Sequence, residues 1–201
     1  GSAHQFPIPG TDGGNVFTPD DVMDGVVPNG PVVVYDDEHY YMGAVVAEKL
    51  RGDGLEVVLV TTDSKVSSWT DATLEQRRIQ ARVIELGIEI VTNHKLDKVS
   101  SDTIELSCLY SGQVRSINAA SIVMVTSRLP DDALFHALIA EEQKFADAGL
   151  QGVKRIGDCY GPSIIAAAVY EGHRYARELG TEPADIPYRR ELTELADGFT
   201  L

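Results

Sequence analysis

The feature that most narrows the fold is a strand–turn–helix–strand succession between Pro31 and Thr61. Pro31-Val32-Val33-Val34-Tyr35 is a short, unbroken apolar run, as expected for a parallel strand buried on both faces. Residues from about Tyr41 to Leu50 follow a helical period, and Glu56-Val57-Val58-Leu59-Val60-Thr61 forms a second run of the strand type. Together they predict the opening βαβ unit of a dinucleotide-binding fold. In such a unit the turn into the helix reads G-x-G-x-x-G, which lets backbone N–H groups approach a pyrophosphate. Here the turn reads Asp36-Asp37-Glu38-His39-Tyr40-Tyr41-Met42-Gly43. Only the last glycine, the one that serves helix–strand packing, is present. Three carboxylates stand where two phosphate charges would go, so local electrostatics oppose the ligand this fold ordinarily takes.

The rest of the chain extends the same pattern. Residues 1–30 are rich in Gly, Pro and Asp and read as an extended arm with one short helix. In that helix Thr18 is the N-cap, Pro19 the first helical position and Asp20 and Asp21 the acids of the first turn, with Gly25 as the stop. The arm is too polar to fold alone and is expected to pack on another part of the protein. After the second strand, Lys65-Val66-Ser67-Ser68-Trp69 reads as a loop, and Thr73 opens a helix to about Leu86, stopped by Gly87. Ile88–Thr92 is a third strand. Short strands follow near Lys95–Val99, Thr103–Tyr110 and Gln113–Asn118, the last two joined at Ser111-Gly112. Ser121–Thr126 is another buried parallel strand. The order β-α-β-α-β, a meander, then β is that of the NADH domain in disulfide-reductase-type flavoproteins.

Residues 128–201 change character. Asp131 to about Ala148 reads as one helix with the apolar stripe Leu134, Leu138 and Phe145. Gly152–Asp158 reads as a short strand ending in Gly157-Asp158, and Pro162 to about Leu179 as an Ala-rich helix. Ile186–Glu191 reads as an extended strap.

Composition excludes several functions. The formal net charge of −14 argues against nucleic acid and disfavours anionic membrane surfaces. No apolar run approaches the ~20 residues needed to span a bilayer. No secretory signal is visible, and Gly1-Ser2 reads as a cloning scar. The two cysteines, Cys108 and Cys159, are too few for a disulfide framework or an iron–sulfur site. They fit a reducing cytoplasm and read as small buried fillers.

Several strings together resemble one family. They are Val32–Gly43, Ala47-Glu48-Lys49-Leu50, Val66-Ser67-Ser68-Trp69-Thr70, Val123–Pro130 and Ile156-Gly157-Asp158. They are similar to the C-terminal region of the trimethylamine, dimethylamine and histamine dehydrogenases, flavoproteins related to old yellow enzyme. The histamine branch is nearest, through the Asp-Asp-x-His-Tyr-Tyr and Val-Ser-Ser-Trp-Thr strings, and the likeness runs from about Phe6 to Leu195. The resemblance implies a large parent enzyme with an FMN-bearing TIM barrel, a 4Fe-4S cluster and an ADP-binding region built like glutathione reductase. It also implies an α/β fold: a Rossmann-like, three-layer NADH-type domain over 31–127, flanked at 1–30 and 128–201 by pieces of an FAD/ADP-type domain. On this reading the chain is a fragment. Its partners are the barrel and the first half of the ADP/FAD-like domain, self-association is open to it, and no cofactor is expected in the fragment alone.

The candidate cofactor-binding residues are Asp36, Asp37, Gly43, Gly157 and Asp158. Asp158 follows a strand and precedes a helix, where a carboxylate accepts from a ribose or ribitol hydroxyl; the bland alternative is a helix cap. Asp36, Asp37, Glu38 and His39 carry metal-ligand atoms, but consecutive residues alternate in direction, so a solvated acidic turn is the better reading and no metal is expected. Asp63 stands slightly late for the ribose carboxylate of a second strand. Lys65, Arg77 and Arg78 have the charge for a 2′-phosphate, but Arg77 and Arg78 fall on the polar side of an amphipathic helix. Tyr40, Tyr41 and Trp69 form an aromatic group better read as a packing surface than as a ring cover. His173, Arg174 and Arg177 share the last helix, and no Ser or Cys is placed to make His173 part of a triad. No catalytic residue is assigned. The expected function is a non-catalytic, scaffolding domain of an amine-dehydrogenase-like oxidoreductase. The alternatives are a free-standing nucleotide-binding or assembly module and an independent NAD(P)H oxidoreductase.

Overall fold

Continuous runs rich in β-branched residues at 32–36, 57–61 and 121–125 are buried along their whole length, as strands with both faces covered are. The computed structural model describes residues 7–181. The chain divides into two units, residues 1–129 and 130–201.

In the first unit, β1 (Val16–Phe17), β2 (Val32–Asp36), β3 (Val57–Thr61), β4 (Glu89–Val91) and β8 (Ser121–Val125) form a parallel sheet in the order β1-β8-β2-β3-β4. A second, antiparallel sheet has the order β5-β6-β7, from β5 (His94–Val99), β6 (Thr103–Cys108) and β7 (Val114–Asn118). The helices α1 (Pro19–Met23), α2 (Met42–Gly52) and α3 (Gln76–Glu85) complete the unit. The period of two along each strand assigns the faces. Val32 and Val34 pack with Ala44, Val46, Ala47 and Leu50 of α2. Val33 and Tyr35 pack with Leu96, Ile104 and Leu106 of the antiparallel sheet. The central sheet thus lies between a helical layer and the meander.

The arm is fastened to this unit. Thr18 and Asp21 form a reciprocal capping box at α1, and Val22 is fully buried. Val99 donates from its backbone N–H to the Pro9 carbonyl over 2.9 Å, and the Asn15 amide donates to the Ser100 carbonyl over 2.9 Å. Between them Gly10 has φ +84°, and a Cβ there would lie 1.9 Å from the Val99 carbonyl oxygen. Gly10→Ala is therefore expected to lift the arm off β5. The loss is limited to what the arm's own contacts contribute, about 1–2 kcal/mol, with faster amide exchange at Val99. An unchanged exchange rate at Val99 would refute this docking.

Four expectations need correction. The helix expected from Thr73 begins at Gln76, because Leu74 takes a left-handed φ of +62° and the Thr73 hydroxyl bonds the Thr70 carbonyl instead. In the second unit the helix expected over 131–148 is α4 (Ala133–Ile139) followed by a separate 3-10 turn, Glu142–Lys144. None of the residues of α4 is buried and Leu134 is 73% exposed, so little packing supports this part of the stripe, and short helices do not propagate on propensity alone. The strand expected over 152–158 does not form. Ile156 is extended, but the described residues of this unit offer no second strand to satisfy its backbone. Gly157–Cys159 is a 3-10 turn, and α5 (Ile165–Glu178) follows. Cys108 and Cys159 are half-buried free thiols rather than core fillers. The expected strap at Ile186–Glu191 lies outside the described residues. Among the described residues no helix is long and apolar enough to cross a membrane.

Candidate functional site

The sheet order places α2 at the carboxyl end of β2, with β8 on one side of β2 and β3 on the other. Open α/β sheets bind ligands at such a switch point. The turn from Asp36 to Gly43 occupies it.

Asp36 continues the face of Val32 and Val34, so its carboxylate goes under the start of α2 rather than into solvent. Asp36 is 0% exposed. Its Oδ1 accepts from the backbone N–H groups of Glu38 (3.2 Å) and His39 (3.1 Å). Its Oδ2 is buried and has no hydrogen-bond partner in the protein. Burial pushes the Asp36 carboxyl up to about 6, against the pull of the hydrogen bond from His39. Gly43 makes room for it: a Cβ at that position would sit 2.5 Å from the Asp36 Cγ and Oδ2. The Asp37 N–H is also used, donating to the Val125 carbonyl over 2.8 Å.

His39 has φ +64°, and its ring is held by the Thr61 hydroxyl at Nδ1 (3.3 Å) and the Thr62 hydroxyl at Nε2 (3.2 Å). Thr62 donates in turn to Asp37 over 3.0 Å. The His39 carbonyl accepts from the Trp69 N–H over 3.0 Å, which brings the Val66–Thr70 string against the acidic turn. Trp69 is 66% exposed, 6.5 Å from the His39 ring between centroids, and Tyr40 and Tyr41 meet edge-on at 4.3 Å. The Tyr41 hydroxyl is held by Glu75 and Thr73. Asp63 accepts from the Ser68 hydroxyl and the Ser64 N–H, and these bonds hold its carboxyl below the usual range. It therefore serves the loop. Lys65 pairs with Asp71 and Arg78 with Glu75. On α1, Asp20 takes a bidentate pair from Arg128, at 2.6 and 2.7 Å.

These residues do not fit a pyrophosphate. The N–H groups of Asp37, Glu38 and His39 are consumed inside the protein, and a carboxylate lies buried beneath the helix start. The alternation along β2 was the signal that could have placed Asp36 inward. Among the described residues no His, Cys, Asp and Glu group of three or more is placed to hold a metal ion.

Gly157 and Asp158 lie in the second unit. Gly157 has φ +62° and its N–H donates to Glu171 Oε2 over 2.6 Å. Asp158 does not cap α5, whose N-cap is Ile164. Beside this turn is a pocket of about 310 Å³ lined by Phe135, Lys154, Arg155, Tyr160, Glu171 and Arg174, which the sequence reading did not find. The Arg155 guanidinium lies 4.5 Å above the Phe135 ring and pairs with Asp132; Arg174 pairs with Glu178. His173 forms no part of the pocket lining.

Residues 17–127 match the model of the OYE-like second alpha/beta domain, more than half of the chain. The chain belongs to that family. Dimethylamine dehydrogenase of Hyphomicrobium sp. (strain x) is 31% identical over 210 residues, 92% of this chain and 28% of that protein. Histamine dehydrogenase from Rhizobium sp. 4-9 is 44% identical, with a TM-score of 0.86 over 96% of this chain and 30% of its own. The 6-hydroxypseudooxynicotine amine oxidase of Pseudomonas geniculata N1 is 42% identical, with a TM-score of 0.81 over 90% of this chain and 27% of its own. The chain therefore spans less than a third of each relative's length. The relatives bear out the mixed α/β fold and the amine-dehydrogenase likeness.

Proposed function

We propose that this chain is the nucleotide-binding-like C-terminal region of an amine-dehydrogenase-like oxidoreductase and acts there as a scaffold. The Asp36–Gly43 turn carries the reading. It is a βαβ turn in an OYE-like domain whose phosphate-binding glycines are replaced by carboxylates and whose first N–H groups are spent internally. Residues 31–127 are then a degenerate Rossmann-like NADH-type domain of disulfide-reductase ancestry. Residues 1–30 and 128–201 belong to an FAD/ADP-type domain, β1 being the strand by which the arm reaches the sheet. The parent carries FMN, a 4Fe-4S cluster and ADP, and electrons leave through the cluster, so no nicotinamide is required here. Two cysteines cannot supply a cluster's four thiolates, so the cluster lies in the rest of the parent. The barrel and the first half of the ADP/FAD-like domain are the partners, in a cytoplasmic enzyme. Gly157 and Asp158 then face the nucleotide of the parent.

A free-standing nucleotide-binding module is the second reading, favoured by the cations and rings of the pocket beside Gly157. Calorimetric titration of the purified chain with NADH, ADP and FAD separates the two. Silence for NADH is expected, with weak or no binding of ADP and FAD. Tight NADH binding would overturn the scaffold reading. Binding of ADP alone, abolished by Asp158→Ala, would put the working nucleotide site at Gly157 and Asp158.

A further inference from the structure

We propose that the Asp36 carboxylate is the built-in occupant of the anion cradle at the start of α2, taking the turn's amide donors from inside and keeping phosphate groups out. The proposal deepens the degenerate-domain reading and rests on it for the class of ligand excluded, phosphate esters and diphosphates. α2 is 11 residues long, and the start of such a helix favours an anion through its dipole and its free N–H groups. In this protein a side chain puts a carboxylate beneath that helix start, and the N–H groups it binds, those of Glu38 and His39, are in the turn that leads into the helix. Asp36 is fully buried beneath the turn, its Oδ1 binds the Glu38 and His39 N–H groups, and its unpartnered Oδ2 fills the space that Gly43 leaves open. The glycine that ordinarily lets helix and strand approach serves here to admit a carboxylate.

Charge around the turn adds to the exclusion. An external dianion would meet Asp37 and Glu38 on the turn, Asp63 beyond β3 and the buried Asp36 itself. Among the described residues, the cations that act on Glu38 of the turn are Arg128, which also pairs with Asp20, and His39 when protonated. At neutral pH Asp36 is ionised, since its carboxyl titrates at about 6.

Sulfate is the probe, because it stays dianionic from pH 4.5 to 8. Wild type, Asp36→Ala and Asp36→Asn are titrated at pH 7.5 while backbone amide resonances are followed. Asp36→Ala is expected to bind sulfate about tenfold or more tightly than wild type, with shifts centred on Glu38 and His39. Asp36→Asn keeps an oxygen acceptor for both N–H groups and is expected to stay within about threefold of wild type. A folded Asp36→Ala protein that binds sulfate no more tightly than wild type would overturn the proposal. A second measurement needs no unstable variant. In wild type the Glu38 and His39 amides are expected to titrate together, with a midpoint above the usual aspartate range, and this component is expected to vanish in Asp36→Asn. Amides that titrate identically in wild type and Asp36→Asn would overturn the proposal on their own. NADH binding by wild type, by contrast, would defeat the degenerate-domain reading and leave the sulfate result standing.

Discussion

Gly43→Ala is expected to lower the stability of the chain by about 2–4 kcal/mol, a large share of a domain's total. In an exposed helix the same change stabilises by up to about 1 kcal/mol, so the sign itself is informative. Gly43 is the second residue of α2, and an added Cβ would lie 2.5 Å from the Asp36 Cγ and Oδ2 and 2.7 Å from its Cβ. Asp36 cannot retreat. Its backbone is paired with β3 and β8 on either side, and its Oδ1 is bound to two N–H groups of the turn. Either the helix start lifts from the sheet, uncovering Ala44 and Ala47, or the carboxylate leaves its amides and two N–H groups lose their partner. Urea unfolding at pH 7.5 measures the loss. Placing Gly43→Ala in an Asp36→Gly background removes the clashing side chain, and the penalty is expected to fall by more than half in that double-mutant cycle. A loss below about 1 kcal/mol in the single variant would refute the close approach.

The sheet was legible because its signals are local. Val32–Tyr35, Val57–Val60 and Ile122–Val125 are apolar throughout, the composition expected of a strand buried on both faces. The Thr18 N-cap of α1 and the turn at Gly112, with φ +68°, were equally readable. β1 was not, since two residues, Val16 and Phe17, carry no period and become a strand only by pairing with β8. The second unit was over-read for the opposite reason. Gly152–Ile156 has strand composition but no neighbouring strand among the described residues, and of the Leu134, Leu138 and Phe145 stripe only Phe145 is buried. The site shows a subtler failure. Asp36, Asp37 and Glu38 look alike as letters, and as a group they suggest a solvated acidic turn. Parity separates them. Counting by two from Val32 puts Asp36 on the face that α2 covers, whereas Asp37 lies past the end of β2 with its side chain 44% exposed. The strand period and the strand's end set the place of Asp36, and a group reading of the three hid it.

Burial of Asp36 makes a second large effect, one of pH. Its carboxyl is pushed up to about 6, against an ordinary value near 3.8, chiefly by loss of hydration. The folded state therefore prefers the protonated form. The contribution of Asp36 to stability is fully present below about pH 4 and is lost as pH rises through 6. Two pH units of displacement correspond to about 3 kcal/mol across that window. Asp36→Asn is neutral at every pH and keeps an oxygen for the Glu38 and His39 N–H groups. It is expected to be more stable than wild type at pH 7.5 by up to about 3 kcal/mol, with the advantage shrinking to near zero by pH 4. The difference between the two proteins is the quantity to follow by urea unfolding. It cancels the repulsion from a net charge of −14, and it cancels Asp20, Asp21 and Asp63, whose carboxyls are held low and whose contributions fall as pH drops. A difference independent of pH between 4 and 7.5 would mean that Asp36 ionises as it does in water, and the buried carboxylate beneath α2 would have to be abandoned. A difference that grows with pH would mean that this βαβ turn carries an ionised carboxylate at a cost in stability, as expected where a negative charge serves a purpose other than holding the fold together.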